Sequence, residues 1–253
     1  MDQIVPGAED VGLRRGGVTT PPVVIADFAA FNRTEKLPPR PLVKSDFERM
    51  RIPEEYWFVR VEKVIESSRA VVLRYLVHLR NYFDLQIPSS EKPEFCYSLY
   101  VHGEVGVGKT SIAVLAAKEA RLAGLSVYFL SCFEFREAIR NKTVFEEDVT
   151  VLDRCRDVGL LILDAFNDSD LKDPYVGPKF FEELLTYRRS RNKPTILTSR
   201  ISFDDGDGMY ANALIHKSAD LYTCLLGRFH PVAVEGPNRR FGGTHQMNKV
   251  LGK

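Results

Sequence analysis

The stretch that most constrains the fold is Gly103-Glu104-Val105-Gly106-Val107-Gly108-Lys109-Thr110, which leaves an apolar segment, Cys96 to Val101, and enters a helical one, Ser111 to Ala123. It fits the phosphate-binding P-loop pattern at each fixed position. Glycines at 103, 106 and 108 let the backbone turn tightly, so that successive N–H groups and a helix N-terminus point at phosphate oxygens. Lys109 supplies a point charge for the β- and γ-phosphates, and Thr110 places a hydroxyl where Mg²⁺ is held between them. Ser111 opens the helix behind it.

The second half of such a site is Gly159-Leu160-Leu161-Ile162-Leu163-Asp164, an aliphatic run ending in a carboxylate. A buried central strand accounts for the aliphatics. Asp164 stands at the strand's C-terminal end, where open α/β sheets bind ligands, and is placed to hold Mg²⁺ through water; helix capping is the plainer alternative. Between the two motifs, Leu125 to Leu130 reads as a strand. Ser131 and Glu134 at capping-box spacing then start a helix carrying Phe135, Ala138 and Ile139. A helix from Lys179 to Arg189 precedes a strand, Pro194 to Arg200, whose polar end, Ser199 and Arg200 included, could reach a γ-phosphate. The last strand is expected at Val232 to Glu235. Alternating strands and helices mean right-handed crossovers and a parallel sheet with helices on both faces.

Ahead of this core, residues 1–44 carry Pro6, Pro21, Pro22, Pro38, Pro39 and Pro41 with few sustained apolar patterns and read as a flexible arm. Within it Val23 to Phe31 is apolar enough either to pack on its own domain or to dock on a partner. Residues 45–94 form a lead-in with an aromatic cluster around Pro53 and a helix from Ser67 to Phe83; 95–242 form the core and 243–253 a tail. Charge nearly cancels, 35 basic against 34 acidic residues, so contact with nucleic acid needs a local patch. One candidate patch is Arg188, Arg189, Arg191 and Lys193 beside Tyr187; the other reading of that run is a solvated helix end whose cations complement the dipole. Four widely separated cysteines suit buried thiols in a reducing compartment. With no apolar run of the ~20 residues a bilayer crossing needs, a cytoplasmic protein without membrane contact is expected.

The ordered set of motifs resembles the AAA+ ATPases of the DnaC/DnaI helicase-loader and IstB transposition-helper group. Arg51-Ile52-Pro53-Glu54-Glu55-Tyr56 looks like the segment introducing their ATPase core. Leu226-Gly227-Arg228 resembles the box carrying their arginine finger, and Gly236 to Arg240 their terminal Gly-x-Ser-x-Arg. The resemblance implies a P-loop NTPase of AAA+ type that uses ATP and Mg²⁺, associates with itself and acts on a hexameric replicative helicase, with single-stranded DNA as a candidate ligand. By the same resemblance Lys109, Asp164 and Arg228 are catalytic, Arg228 reaching in trans into a neighbour's site, and Arg240 senses the γ-phosphate. A plain surface arginine at 228 and a solvated basic pair at 239 and 240 are the alternatives. Two positions depart from the group. Ala165 stands where a second acid polarises the attacking water, and Arg200 where asparagine is the first sensor. Both imply tight ATP binding with slow hydrolysis, unless Asp168 or Asp170 substitutes for the missing acid. A transposition helper, or a nucleotide-binding adaptor without turnover, are the other functions such a core serves.

Overall fold

The structure, a computed structural model of the chain, describes residues 41–64, 66–83, 97–141, 149–204, 206 and 212–239. By internal contacts the chain divides into two units, Met1–Pro39 and Arg40–Lys253, and all described residues belong to the second. The arm reading for 1–44, apart from its last four residues, and the tail lie outside the described residues.

Five parallel strands form one sheet: β1 (Ser98–His102), β2 (Val127–Ser131), β3 (Leu160–Phe166), β4 (Thr195–Ser199) and β5 (Phe229–Ala233), in the order β2-β3-β4-β1-β5. β1 and β4 are buried along their whole length, as strands covered on both faces must be. On one face lie α1 (Lys44–Met50), α2 (Glu66–Phe83) and α3 (Lys109–Leu122), packed on the side chains of Leu99, Val101, Ile162 and Ile196. On the other lie α4 (Cys132–Asn141), α5 (Val149–Asp157), α7 (Pro178–Ser190) and α9 (Ala219–Leu225), packed on Tyr100, Leu130, Leu161, Leu163 and Leu197. Two short helices, α6 (Asp168–Leu171) and α8 (Leu214–Lys217), complete the order.

The local signals explain most of these elements. The Ser131 and Glu134 capping box forms as its spacing requires: Glu134 N donates to Ser131 Oγ (3.1 Å) and Ser131 N to Glu134 Oε2 (3.0 Å). Gly124, at φ 87°, ends α3; its N–H reaches Arg121 O and that of Leu125 reaches Ala120 O, the paired bonds of a left-handed helix stop. Two boundaries and one buried face differ from the simplest reading. The second helix begins at Glu66, so Ser67 lies inside its first turn rather than capping it. In α3 Ile112, Leu115, Ala116 and Ala120 recur at helical spacing as one apolar stripe, yet Ala113, Val114 and Ala117 are buried as well, because the helix is wedged between the sheet and α2. The last strand begins three residues early, at Phe229, where Ser98 N already pairs with Arg228 O (2.9 Å). Among the described residues no helix is long and apolar enough to cross a membrane.

Candidate functional site

All five strands run the same way, so their C-terminal ends form one edge, and the polar residues there converge. Gly103 at φ 145°, Gly106 at φ 80° and Gly108 at φ 106° turn the chain from β1 into α3. These angles are open to glycine and strained for other residues. Gly103 is also required by close approach to backbone, whereas at Gly106 an added Cβ would meet the end of a side chain that can turn away. A Cβ on Gly103 would stand 2.2 Å from Val234 O, and one on Gly106 1.9 Å from Asn238 Oδ1. The second contact shows that the segment following β5 lies against the loop, where Arg239 N also donates to Gly106 O (3.1 Å). Arg240, the next residue, lies outside the described residues. Gly108 is the helix N-cap and offers no side-chain acceptor, so the first N–H groups of α3 are left for another partner.

Lys109 Nζ donates to Gly103 O (2.7 Å) and Glu104 O (2.6 Å), lying along the loop it belongs to. Val107 is buried in the core and contributes backbone alone, whereas Glu104 is exposed and Val105 and Ser111 are half-buried. Thr110 Oγ1 lies 3.0 and 3.2 Å from the two oxygens of Asp164. The two residues are 54 positions apart in sequence and meet because β3 is separated from β1 by β4 alone. Asp164 is therefore no helix cap.

The third member of this cluster is Thr198, which the sequence marks only as part of a polar strand end. Thr198 Oγ1 donates to Asp164 Oδ1 (2.6 Å) and accepts from Ala165 N (2.9 Å). Its signal is its place in the polar Thr198-Ser199 end of β4; Ser199 and Arg200, the strand-end residues expected to reach a phosphate, do not join the cluster. Ser199 is fully buried, and its Oγ donates to Phe166 O (2.9 Å) and accepts from Ile201 N (2.9 Å), which points the hydroxyl into the backbone and away from the cluster. Arg200 is exposed, and among the described residues its guanidinium makes no hydrogen bond or ion pair.

Ala165 itself is a backbone outlier, at φ 64° and exposed, set in the bulge where the β3–β4 register shifts between Leu163 and Phe166. A non-glycine residue held there costs on the order of 1 kcal/mol or more. The two acids that could have replaced its missing carboxylate are both engaged. Asp168 pairs with Lys217 (2.7 Å), and Asp170 is buried against Arg136 (3.2 Å) while accepting from Asn167 N (2.7 Å). Burial raises the Asp170 carboxyl, with the Asn167 N–H and Arg136 opposing. Neither stands ready to polarise water. His102, at the end of β1, is lowered from its ordinary value by burial, with Asp204 raising it, Lys109 lowering it further and Glu235 raising it, so the imidazole is neutral at pH 7.

The N-terminal edge of the sheet holds the arginines. Arg228 precedes β5, and its Nη1 lies 3.5 Å from Asn192 Oδ1. A shallow groove there is lined by Ser98, Arg189, Asn192, Lys193, Thr195 and Arg228, among others. Along a five-residue strand at about 3.3 Å per residue, this edge lies roughly 16 Å from the chain's own P-loop. The basic run at 188–193 divides. Arg188 is fully buried, Lys193 bonds Asp157 O (2.7 Å), and Arg191 stacks on Tyr187 with 3.8 Å to the ring centroid. As a patch for DNA, that leaves Arg189 and Arg191 facing solvent.

Oxygen donors suit Mg²⁺, which keeps most of its water shell and takes one or two protein ligands alongside phosphate. The hydroxyl and carboxylate of Thr110 and Asp164 fit that donor set, and the positive-φ glycines and uncapped helix start fit a polyphosphate. Among the described residues no cluster of three or more His, Cys, Asp or Glu side chains is arranged to hold a metal on its own.

Comparison with known proteins agrees with this geometry. The family model described as IstB-like ATP binding protein matches residues 97–242. A comparison with curated protein sequences found no match. Among solved structures the chain is similar to DnaI, with 23% identity, a TM-score of 0.54 and coverage of 75% of this chain and 94% of that one. It is similar to the DnaC helicase loader at 21% identity and a TM-score of 0.56, covering 72% and 100%. A putative primosome component from Streptococcus pyogenes serotype M3 follows at 22% and 0.52, covering 78% and 98%. At these identities the structural likeness establishes the fold alone.

Proposed function

Because the chain belongs to the IstB-like ATP-binding proteins, we propose that it is an ATP-gated assembly switch that loads a hexameric replicative helicase onto single-stranded DNA. The observation that carries the reading is the contact of Thr110 with Asp164 beside the Lys109 loop at one edge of the sheet while Arg228 stands at the other.

Bound ATP with Mg²⁺ supplies the transferable phosphoryl group and the cation that neutralises its charge. The residues of this chain do the rest. The Gly103–Thr110 backbone and the start of α3 direct N–H groups at phosphate oxygens, and Lys109 turns from the loop carbonyls to the same anion. Thr110 and Asp164 hold the cation. Arg228, too far from its own loop, serves a neighbouring copy, where a fixed guanidinium stabilises charge developing on the transferring group. With alanine at 165 and Asp168 and Asp170 engaged elsewhere, none of the three positions weighed for the water-polarising acid offers a ready carboxylate, so hydrolysis is slow or depends on a partner. Arg200, exposed at the same edge, adds charge rather than a water-orienting amide.

The helicase as partner is supported by the order of motifs on a fold shared with the DnaC helicase loader and DnaI. A transposition helper is the second reading, favoured by the IstB-like family match. Affinity capture from the native cell with ATP and Mg²⁺, beside Lys109→Ala, separates them. Recovery of a replicative helicase that Lys109→Ala fails to retain is the expected result. Recovery of a transposase moves the core to the second reading, and turnover of several ATP per second without a partner would overturn the switch.

A further inference from the structure

Thr198 is a buried hydroxyl in a strand that has every reason to be aliphatic there. It is 1% exposed, between Leu197 and Ser199 in β4, whose other residues are Thr195 and Ile196. Burying a hydroxyl costs free energy unless its hydrogen bonds are made, and valine has the same shape with none of that cost. Both bonds of Thr198 go to the candidate metal edge: its proton to Asp164 Oδ1 at 2.6 Å, its lone pair to Ala165 N at 2.9 Å. These two partners are consecutive residues of β3 at the point where its register against β4 shifts. The hydroxyl thus spans the bulge, fixing the rotamer of the carboxylate on one side and the left-handed peptide of Ala165 on the other.

We infer that Thr198 is a positioning residue for the divalent cation, holding the Asp164 carboxylate turned toward Thr110 and so setting the affinity of the Thr110–Asp164 pair for Mg²⁺. The inference rests on the reading of those two residues as cation ligands. Thr198 donates to Oδ1 and so fixes the plane of the carboxylate, whose two oxygens both face Thr110 Oγ1, at 3.0 and 3.2 Å. The adjacent Ser199 cannot take over, since its hydroxyl is spent on Phe166 O and Ile201 N. Outer partners of metal ligands, when removed, lower metal affinity by about 10- to 100-fold.

The test is binding of a fluorescent ATP analogue titrated with Mg²⁺, and repeated in EDTA, for the full chain and for Thr198→Val, Thr198→Ser and Asp164→Asn. Thr198→Val is expected to raise the Mg²⁺ concentration at half effect at least about tenfold, leave the affinity in EDTA as it was and bind as a folded protein. Thr198→Ser, which restores the hydroxyl, should return to near the parent value; a residue that merely packs would show no such rescue. Asp164→Asn should shift the Mg²⁺ dependence further. A Thr198→Val protein with the parent Mg²⁺ dependence, beside a shifted Asp164→Asn, overturns the inference alone. An unshifted Asp164→Asn overturns the cation reading and the inference with it. Should the valine variant not fold, Thr198→Ala removes the same hydroxyl together with the γ-methyl, and Thr198→Ser again serves as the control that keeps the hydroxyl.

Discussion

The two edges of the sheet carry polar groups of similar kind and treat them in opposite ways. At the C-terminal edge Lys109, Thr110 and Asp164 are partly exposed; Thr110 meets Asp164, and Lys109 lies along the glycine loop before it. At the N-terminal edge Arg188, also from the end of a helix, is sealed. Its guanidinium gives hydrogen bonds to Thr195 Oγ1 (2.8 Å), Cys155 O (2.8 Å), Val158 O (2.9 Å) and Pro194 O (2.6 Å), with longer ones to Arg156 O and Gly159 O. None of these partners is a carboxylate. The carbonyls belong to the end of α5 and to the residues just before β3 and β4, so one cation closes a helix C-terminus and pins α7 to two strand starts. Burial lowers its pKa to about 10, with Cys155 and Asp157 opposing, and it stays charged at neutral pH. Arg228, on the same edge, is half-buried and reaches the groove. Exposure and the nature of the partner, rather than residue type, separate a packing bolt from a group able to act on something else.

The largest effect that tests this contrast is Arg188→Met. It leaves a row of buried carbonyls without donors, each loss worth about 1–3 kcal/mol, and should lower stability by about 3–5 kcal/mol in urea unfolding while the folded fraction still binds ATP. Loss of under about 1 kcal/mol would make Arg188 a surface-like arginine and erase the difference between the edges. Lys109→Ala does the reverse. ATP affinity by calorimetry should fall about 100-fold or more, near 2.7 kcal/mol, with stability changed by less than about 0.5 kcal/mol. A smaller and opposite effect is expected at Ala165→Gly, where relief of the left-handed strain should raise stability by about 1 kcal/mol. If the glycine variant is less stable, the φ of 64° is no burden and the bulge is held by something other than Thr198 and Asn167, whose Nδ2 donates to Ala165 O (2.9 Å).

The sequence made the first edge readable because its constraints are local: glycine spacing, the lysine and threonine that follow, an aliphatic run ending in Asp164, a capping box at Ser131. Each is decided within a few residues by backbone geometry. What escaped is decided by which strands become neighbours. Thr198 matters because β4 lies beside β3, and Arg188 is buried because α5, which no pattern announced, ends against it. In sequence Arg188 looks like Arg189 and Arg191, and only the packed structure divides them. Asp168 and Asp170 were equally open as substitutes for the missing acid until Lys217 and Arg136 were found beside them.

The central claim is that the two edges are halves of one site completed between copies, Lys109 binding the nucleotide and Arg228 acting on a neighbour's. It is tested most directly by mixing Lys109→Ala with Arg228→Ala and following phosphate release in a single turnover, with the helicase or other captured partner present. Each variant alone should be nearly inactive, an arginine finger being worth about 10³-fold or more. The mixture should recover hydrolysis, because one subunit brings an intact loop and the other an intact arginine. A mixture no faster than the sum of its parts would contradict the account and return Arg228 to the ordinary surface of the molecule.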